Sequence, residues 1–166
     1  LAEVQGFTLA VNDGWGTGDG FTTFAMRPPA GIVTQPWVLH RPLGASACHN
    51  RAERAEHLLG TGALVDLLTE VVAKGGTLLA EVGPAVDGSI PPLIAQPLRD
   101  VGAWVYEHAD VIHGSAPFDV WGDAQVRYVR VAGAAGPEVA VVDLAAGSEV
   151  ALVALTPRTS GRYAPP

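Results

Sequence analysis

The chain has 166 residues, of which 48% are hydrophobic and 16% are charged, with a formal net charge of −7 at pH 7. This composition argues against disorder, and the absence of a basic patch argues against nucleic acid or an anionic membrane as a partner. The one cysteine, Cys48, excludes an internal disulfide framework, and no apolar run approaches the ~20 residues of a membrane span.

The start of the chain is the first organisational feature. The chain begins at Leu1, its one methionine is Met26, and no charged segment precedes an apolar one, so no signal peptide is visible. We therefore expect that upstream residues were removed or that the chain is part of a longer polypeptide. A cytoplasmic and a secreted location both stay open.

The first third of the chain is read as two strands joined by a long loop. Gly6–Asn12 is a short apolar run ending at Asn-Asp-Gly, which predicts a strand and a turn. Trp15–Ile32 is rich in Gly and Pro without a steady period, which predicts a long loop. Gln35–Leu39 is a second candidate strand, and Pro42–Glu56 is irregular.

The middle of the chain carries the clearest helix. Apolar residues recur at helical spacing over Thr61–Lys74, with Thr61 as the expected N-cap and Gly75 as the stop. Thr77–Val82 then predicts a strand covered on both faces. A second helix is expected over Pro97–His108, with Pro97 in its first turn.

After Gly114 the pattern changes to strands. Three β-rich runs are separated by Gly, Ala and Pro, which predicts an antiparallel module beginning between Gly114 and Asp123. The runs are Gln125–Val131, Glu138–Leu144 and Glu149–Leu155. The two or three βα units before them cannot close a sheet, so the first part of an α/β domain is expected to be missing.

Four segments carry a resemblance to a known family. They are VNDGWG at 11–16, PW through NRAE at 36–53, the block from Leu64 to Pro92, and VGAWVYEHADVIHGS at 101–115. In order and spacing they resemble the α-L-fucosidases, a glycoside hydrolase family, over roughly residues 6–118. The resemblance implies the C-terminal portion of a (β/α)8-like (TIM) barrel at 1–118, followed by a partial, small antiparallel β-sandwich at 119–166.

The chemistry that this resemblance implies is retaining hydrolysis of terminal α-L-fucose by two carboxyl groups. It puts the aspartate nucleophile upstream of Leu1. The family's two acid/base positions correspond to Ala25 and Val38, neither of which can transfer a proton. We therefore predict no hydrolysis by this chain alone, unless Asp19 or Glu81 substitutes. The alternative function is a catalytically dead, sugar-binding or structural pseudoenzyme.

The expected ligand is a fucosylated glycan or small fucoside, and no cofactor is implied. Trp37, Trp15 and His40 are the candidate substrate-binding residues. An indole can stack on a sugar ring or pack at a strand end, and both stay open for Trp37, whereas packing is favoured for Trp15. His49 and His57 lie in segments without the spacing of metal ligands, so no metal site is predicted.

Overall fold

A parallel sheet forms the first half of the structure, a computed structural model that describes residues 11–12, 20–133, 136–145 and 147–154. The strands pair side by side in chain order, and each is parallel to the next. They are β1 (Val11–Asn12), β2 (Gly20–Ala25), β3 (Trp37–Pro42) and β4 (Thr77–Glu81). Residues 6–10 of the first predicted strand lie outside the described residues.

The second strand, β2, corrects the prediction of one long loop over Trp15–Ile32. Phe24 packs edge-on against Trp37 with ring centroids 5.4 Å apart, which ties this segment to β3. Glycines precede β2 and prolines follow it, so its short alternation of Thr and Phe does not stand out in the sequence as a strand. The next strand, predicted at Gln35–Leu39, runs from Trp37 to Pro42 because it pairs with β4 as far as Glu81.

Helix α1 (Thr61–Ala73) confirms the prediction for this segment, with Gly60 rather than Thr61 as its N-cap. The chain leaves the helix at Gly75, whose φ of 85° is the left-handed conformation expected there. The prediction that both faces of β4 are covered is wrong: the residues that the structure describes cover only one face. Leu79 is 54% exposed, because α1 and its neighbours cover one face of the strand only.

Helix α2 (Pro92–Glu107) begins five residues before the predicted start at Pro97. Pro97 lies inside the helix, where it removes the hydrogen bond to the Leu93 carbonyl. Leu93 is 50% exposed, so water can satisfy that carbonyl, while Ile94 is buried against α1 and holds the extra turn in place. The short helix α3 (Ala109–Ile112) follows.

The last part of the described chain is a four-stranded antiparallel sheet, in the order β5-β6-β7-β8. Its strands are β5 (Ala116–Gly122), β6 (Val126–Gly133), β7 (Gly136–Asp143) and β8 (Glu149–Ala154). The three predicted β runs are confirmed with shifted ends. The additional strand β5 spans the predicted boundary between residues 118 and 119, and the antiparallel structure begins within the expected window.

Three groups of buried side chains meet on α1. Val71 packs with Trp37 and Leu39 of β3. Leu64 packs with Ile94 of α2 and with Leu43. Ala73 packs with valines of β6 and β7 and with Val111 of α3. Helix α1 is therefore the layer between the two sheets. None of the helices in the described part of the chain is both long and apolar enough to span a membrane.

A buried charge cluster lies where α1 meets the antiparallel sheet. Lys74 is 3% exposed, and its Nζ donates to Glu70 Oε1 at 2.5 Å and to the Pro29 carbonyl at 2.8 Å. The ammonium lies 4.0 Å from the ring centroid of Trp121 in β5. Arg127 of β6, also buried, approaches Glu70 Oε2 at 3.4 Å. Glu70 therefore neutralises two buried cations that belong to different layers.

Replacing Glu70 with glutamine should test this cluster. Glu70→Gln keeps the shape but leaves Lys74 and Arg127 without a carboxylate, so we expect the free energy of unfolding to fall by about 3 kcal/mol. The measurement is urea unfolding followed by tryptophan fluorescence. Glu107→Gln, at an exposed position on α2, is the matched control and should change little. Equal stabilities of the two variants would contradict this role of Glu70.

Candidate functional site at the carboxyl edge of the parallel sheet

The alternation of side chains along β3 decides which residues can form a site. Trp37 and Leu39 face α1 and are buried, at 2% and 0% exposure. Because successive side chains of a strand point to opposite faces, Val38 and His40 lie on the other face. His40 is the later of the two along the strand, and so lies nearer the carboxyl edge, where α/β proteins build their sites.

His40 and Glu81 form the polar contact at this edge. His40 Nε2 lies 2.8 Å from Glu81 Oε2, and the two side chains are 40% and 33% exposed. The parallel register sets Ala25 beside His40 and His40 beside Leu79, and Glu81 follows Leu79 on the same face of β4. Even ion pairs at exposed positions contribute only about 0–1 kcal/mol to stability, so this contact adds little. The pair therefore presents polar groups to solvent more than it holds the fold together.

The two positions that the resemblance assigns to the acid/base lie in this same sheet. Ala25 ends β2 and is exposed, and Val38 is the second residue of β3, between Thr23 and Thr77 of the neighbouring strands. Neither side chain carries a proton-transferring group. Glu81 is the one acidic residue within β1 to β4 as described, and its carboxylate is engaged with His40.

The structure does not bring Trp37 into this site. Its ring lies on the face covered by α1, near the amino end of β3, and its indole N–H donates to the Lys74 carbonyl at 3.2 Å. Of the two interpretations of Trp37, the geometry favours packing over stacking on a sugar. Trp15 and Asp19 lie outside the described residues.

The remaining histidines do not join His40. His57 Nδ1 accepts a hydrogen bond from the Arg54 amide at 3.1 Å, within a short 3-10 turn at Ala55–His57. His49 lies in the loop between β3 and α1 and is exposed. Across the ranges that the structure describes, no three His, Cys, Asp or Glu side chains are grouped to hold a metal ion.

One contact of this edge was not predicted. Gly83 follows β4, and a Cβ built on it would lie 2.3 Å from the His49 amide nitrogen and 2.5 Å from the Cys48 carbonyl carbon. The turn at Cys48–His49 therefore rests directly on the end of β4. The signal available in the sequence was the glycine itself, since close backbone approach is one reason for glycine after a strand.

The loop between β4 and α2 adds an anion next to this turn. The Ser89 hydroxyl donates to Asp87 Oδ1 at 2.6 Å and the Ser89 amide donates to the same oxygen at 3.0 Å. These hydrogen bonds, with a smaller contribution from the nearby His49, hold the pKa of Asp87 below its usual range. Asp87 is therefore a carboxylate at neutral pH.

Comparison with known proteins identifies the class to which this fold belongs. An α-L-fucosidase of known structure is 33% identical with a TM-score of 0.73, over 81% of this chain and 31% of that chain. The Thermotoga maritima α-fucosidase, in a crystal structure with fucose, is 32% identical with a TM-score of 0.68, over 80% of this chain and 31% of that chain. The solved structures therefore define a fucosidase-like α/β protein with an antiparallel module.

Sequence comparison gives the family. The family model described as Alpha-L-fucosidase matches residues 2–110. The α-L-fucosidase of Branchiostoma floridae is 30% identical over 125 residues, which are 71% of this chain and 28% of that protein. That of Dictyostelium discoideum is 32% identical over 120 residues, 68% of this chain and 26% of that protein. The chain belongs to the α-L-fucosidase family, and it spans little more than a quarter of the length of these relatives.

A methyl group added at Gly83 should displace the turn at Cys48–His49. We expect Gly83→Ala to lower the free energy of unfolding by about 1–3 kcal/mol, the usual cost of overpacking. Gly31→Ala is the matched control, because a Cβ there meets nothing within 4 Å. Urea unfolding of both variants gives the comparison. A Gly83→Ala protein as stable as the control would show that the turn does not rest on β4.

Proposed function

We propose that this chain forms the C-terminal part of a (β/α)8-like barrel of the α-L-fucosidase type, at residues 1–118, and the start of a small antiparallel β-sandwich at 119–166. The uncovered face of the parallel sheet supports this proposal. Thr23, Thr77 and Leu79 lie on that face and are exposed, with Leu79 at 54%. In a closed barrel the same face points into a packed interior.

The ligand that we propose is a terminal α-L-fucosyl residue of a glycan or small fucoside. The observation that carries this proposal is the His40–Glu81 pair, 2.8 Å apart and partly exposed at the carboxyl edge. Its carboxylate can accept hydrogen bonds from sugar hydroxyls, and its imidazole can donate or accept one. The fucose-bound Thermotoga maritima structure, which this chain resembles at 32% identity, supports the same ligand class.

Hydrolysis by the chain alone is not part of the proposal. A retaining glycosidase needs two carboxyl groups about 5–5.5 Å apart, one as nucleophile and one as acid/base. The strands as described offer Glu81 alone, and Ala25 and Val38 stand at the assigned acid/base positions. These two apolar residues favour the second candidate function, a sugar-binding pseudoenzyme, over an enzyme.

The first test is turnover of an aryl α-L-fucoside. We expect the purified chain to release no aryl alcohol above the blank rate, because one carboxylate cannot perform both steps. If turnover is seen and Glu81→Gln abolishes it while Glu107→Gln does not, Glu81 replaces the missing acid/base and the proposed inactivity is wrong. Turnover by a longer polypeptide containing this chain would favour the enzyme over the pseudoenzyme.

The second test measures fucose binding by ligand-observed NMR. We expect saturable binding to the unmodified chain. His40→Ala and Glu81→Gln should each weaken it about tenfold, the loss expected for one hydrogen bond to a charged or polarised group. His113→Ala, at an exposed position after α3, is the matched control and should leave the affinity unchanged. Fucose binding that is absent, or that is indifferent to His40 and Glu81, would contradict the proposed site.

A further inference from the structure

The single methionine of the chain holds a backbone conformation that side chains rarely adopt. Met26 directly follows β2 and has a φ of 68°, in the left-handed region. Its amide donates to the His40 carbonyl at 3.0 Å, and the next amide, of Arg27, donates to the Ala25 carbonyl at 2.8 Å. A three-residue turn of this kind with a positive φ is the rare, strained form. Backbone outliers cluster at functional sites, where the surrounding structure holds them, so the side chain at this position calls for an explanation.

The thioether of Met26 meets a cation where an apolar partner would be usual. Met26 is 51% exposed, and Arg41 Nη1 donates to its sulfur at 3.4 Å. Arg41 belongs to β3, so this contact links the ends of two neighbouring strands. A thioether is only a weak acceptor. Across the residues that the structure describes, no ion pair includes Arg41, and its guanidinium therefore lacks a strong acceptor.

One chemical step turns this sulfur into the acceptor that Arg41 lacks. Hydrogen peroxide transfers one oxygen atom to a thioether: the O–O bond breaks, an S–O bond forms, and the sulfur loses two electrons. The proton on the transferred oxygen passes to the departing hydroxide, which leaves as water. The product is methionine sulfoxide, which is polar and is reduced again by methionine sulfoxide reductases. Its oxygen can accept a charge-assisted hydrogen bond, which is about twice as strong as a neutral one.

We propose that Met26 is an oxidation site at the carboxyl edge of the parallel sheet, and that Arg41 binds the sulfoxide oxygen formed there. Oxidation strengthens the link between the ends of β2 and β3, beside the His40–Glu81 pair, because the Met26 amide is bound to the His40 carbonyl. The inference goes beyond the proposed function, since neither the oxidation nor the link requires a fucosyl ligand.

The first test treats the full chain with limiting hydrogen peroxide, after the other exposed sulfur, Cys48, has been blocked with iodoacetamide. We expect the mass to rise by one oxygen atom, located at Met26 by peptide mass spectrometry. Methionine sulfoxide reductase should restore the original mass, because the side chain is accessible. Met26→Leu keeps the bulk without the sulfur and is the matched control, which should gain no oxygen. Oxygen added elsewhere while Met26 stays unmodified would overturn the inference.

The second test follows hydrogen exchange of the Met26 amide, which reports the opening of this edge because its N–H is bound across the two strands. We expect oxidation to slow the exchange about threefold, within the range that one exposed charged contact provides. Arg41→Ala should still be oxidised at Met26 but show no slowing. Arg99→Ala, at an exposed position on α2, is the matched control and should respond like the unmodified sequence.

A third measurement needs no variant. The guanidinium protons of Arg41 should exchange with water more slowly after oxidation, by NMR of the arginine side chains, and the reductase should reverse the change. Circular dichroism of each variant checks that the fold is retained. Amide exchange that is unchanged or faster after oxidation, slowing that is equal in Arg41→Ala, or Arg41 protons that are indifferent to oxidation would each reject the role of Arg41.

Discussion

The buried ammonium of Lys74 is the contact on which the two halves of the structure depend. A cation at 3% exposure is costly unless it is paired, and here Glu70, the Pro29 carbonyl and the Trp121 ring surround it. The backbone carbonyl of Lys74 also accepts hydrogen bonds from the Trp37 indole and from the Val33 amide. One residue at the end of α1 therefore fixes the start of β3, the loop before it and the first strand of the antiparallel sheet.

This arrangement on the helix side decides what the opposite face can present. Because Trp37 and Leu39 are held against α1, strand alternation turns His40 to the uncovered face. The parallel register with β4 then brings Glu81 within 2.8 Å of it, although 41 positions separate the two residues. The exposed pair adds little stability of its own. The fold therefore positions His40 and Glu81, and the contact between them contributes little to the stability of the fold.

The same reasoning separates what could be predicted from what could not. Helix α1 and strands β6 to β8 were found because each buries one side against a regular partner, which leaves a period in the sequence. Strand β2 and the first turn of α2 were missed because glycine and proline beside them outweighed short apolar signals, and tertiary packing of Phe24 and Ile94 decided the outcome. His40 and Glu81 were each singled out, but their contact depends on register. The packing of the Cys48–His49 turn on Gly83 depends on two loops meeting in space, which no local pattern encodes.

The residues that specify the fold are separate from those on the uncovered face of the parallel sheet, for a physical reason. The side chains that specify the fold are the buried ones of α1, such as Val71, Leu64 and Ala73, together with the buried side chains that pack against them. Ala25 and Val38 lie on the uncovered sheet face and outside the three buried clusters, so the identity of these side chains does not affect the packing of those clusters. The buried residues that specify the fold therefore do not dictate the side chains of the uncovered face, and the fold by itself does not fix the chemistry at its carboxyl edge, where His40 and Glu81 meet.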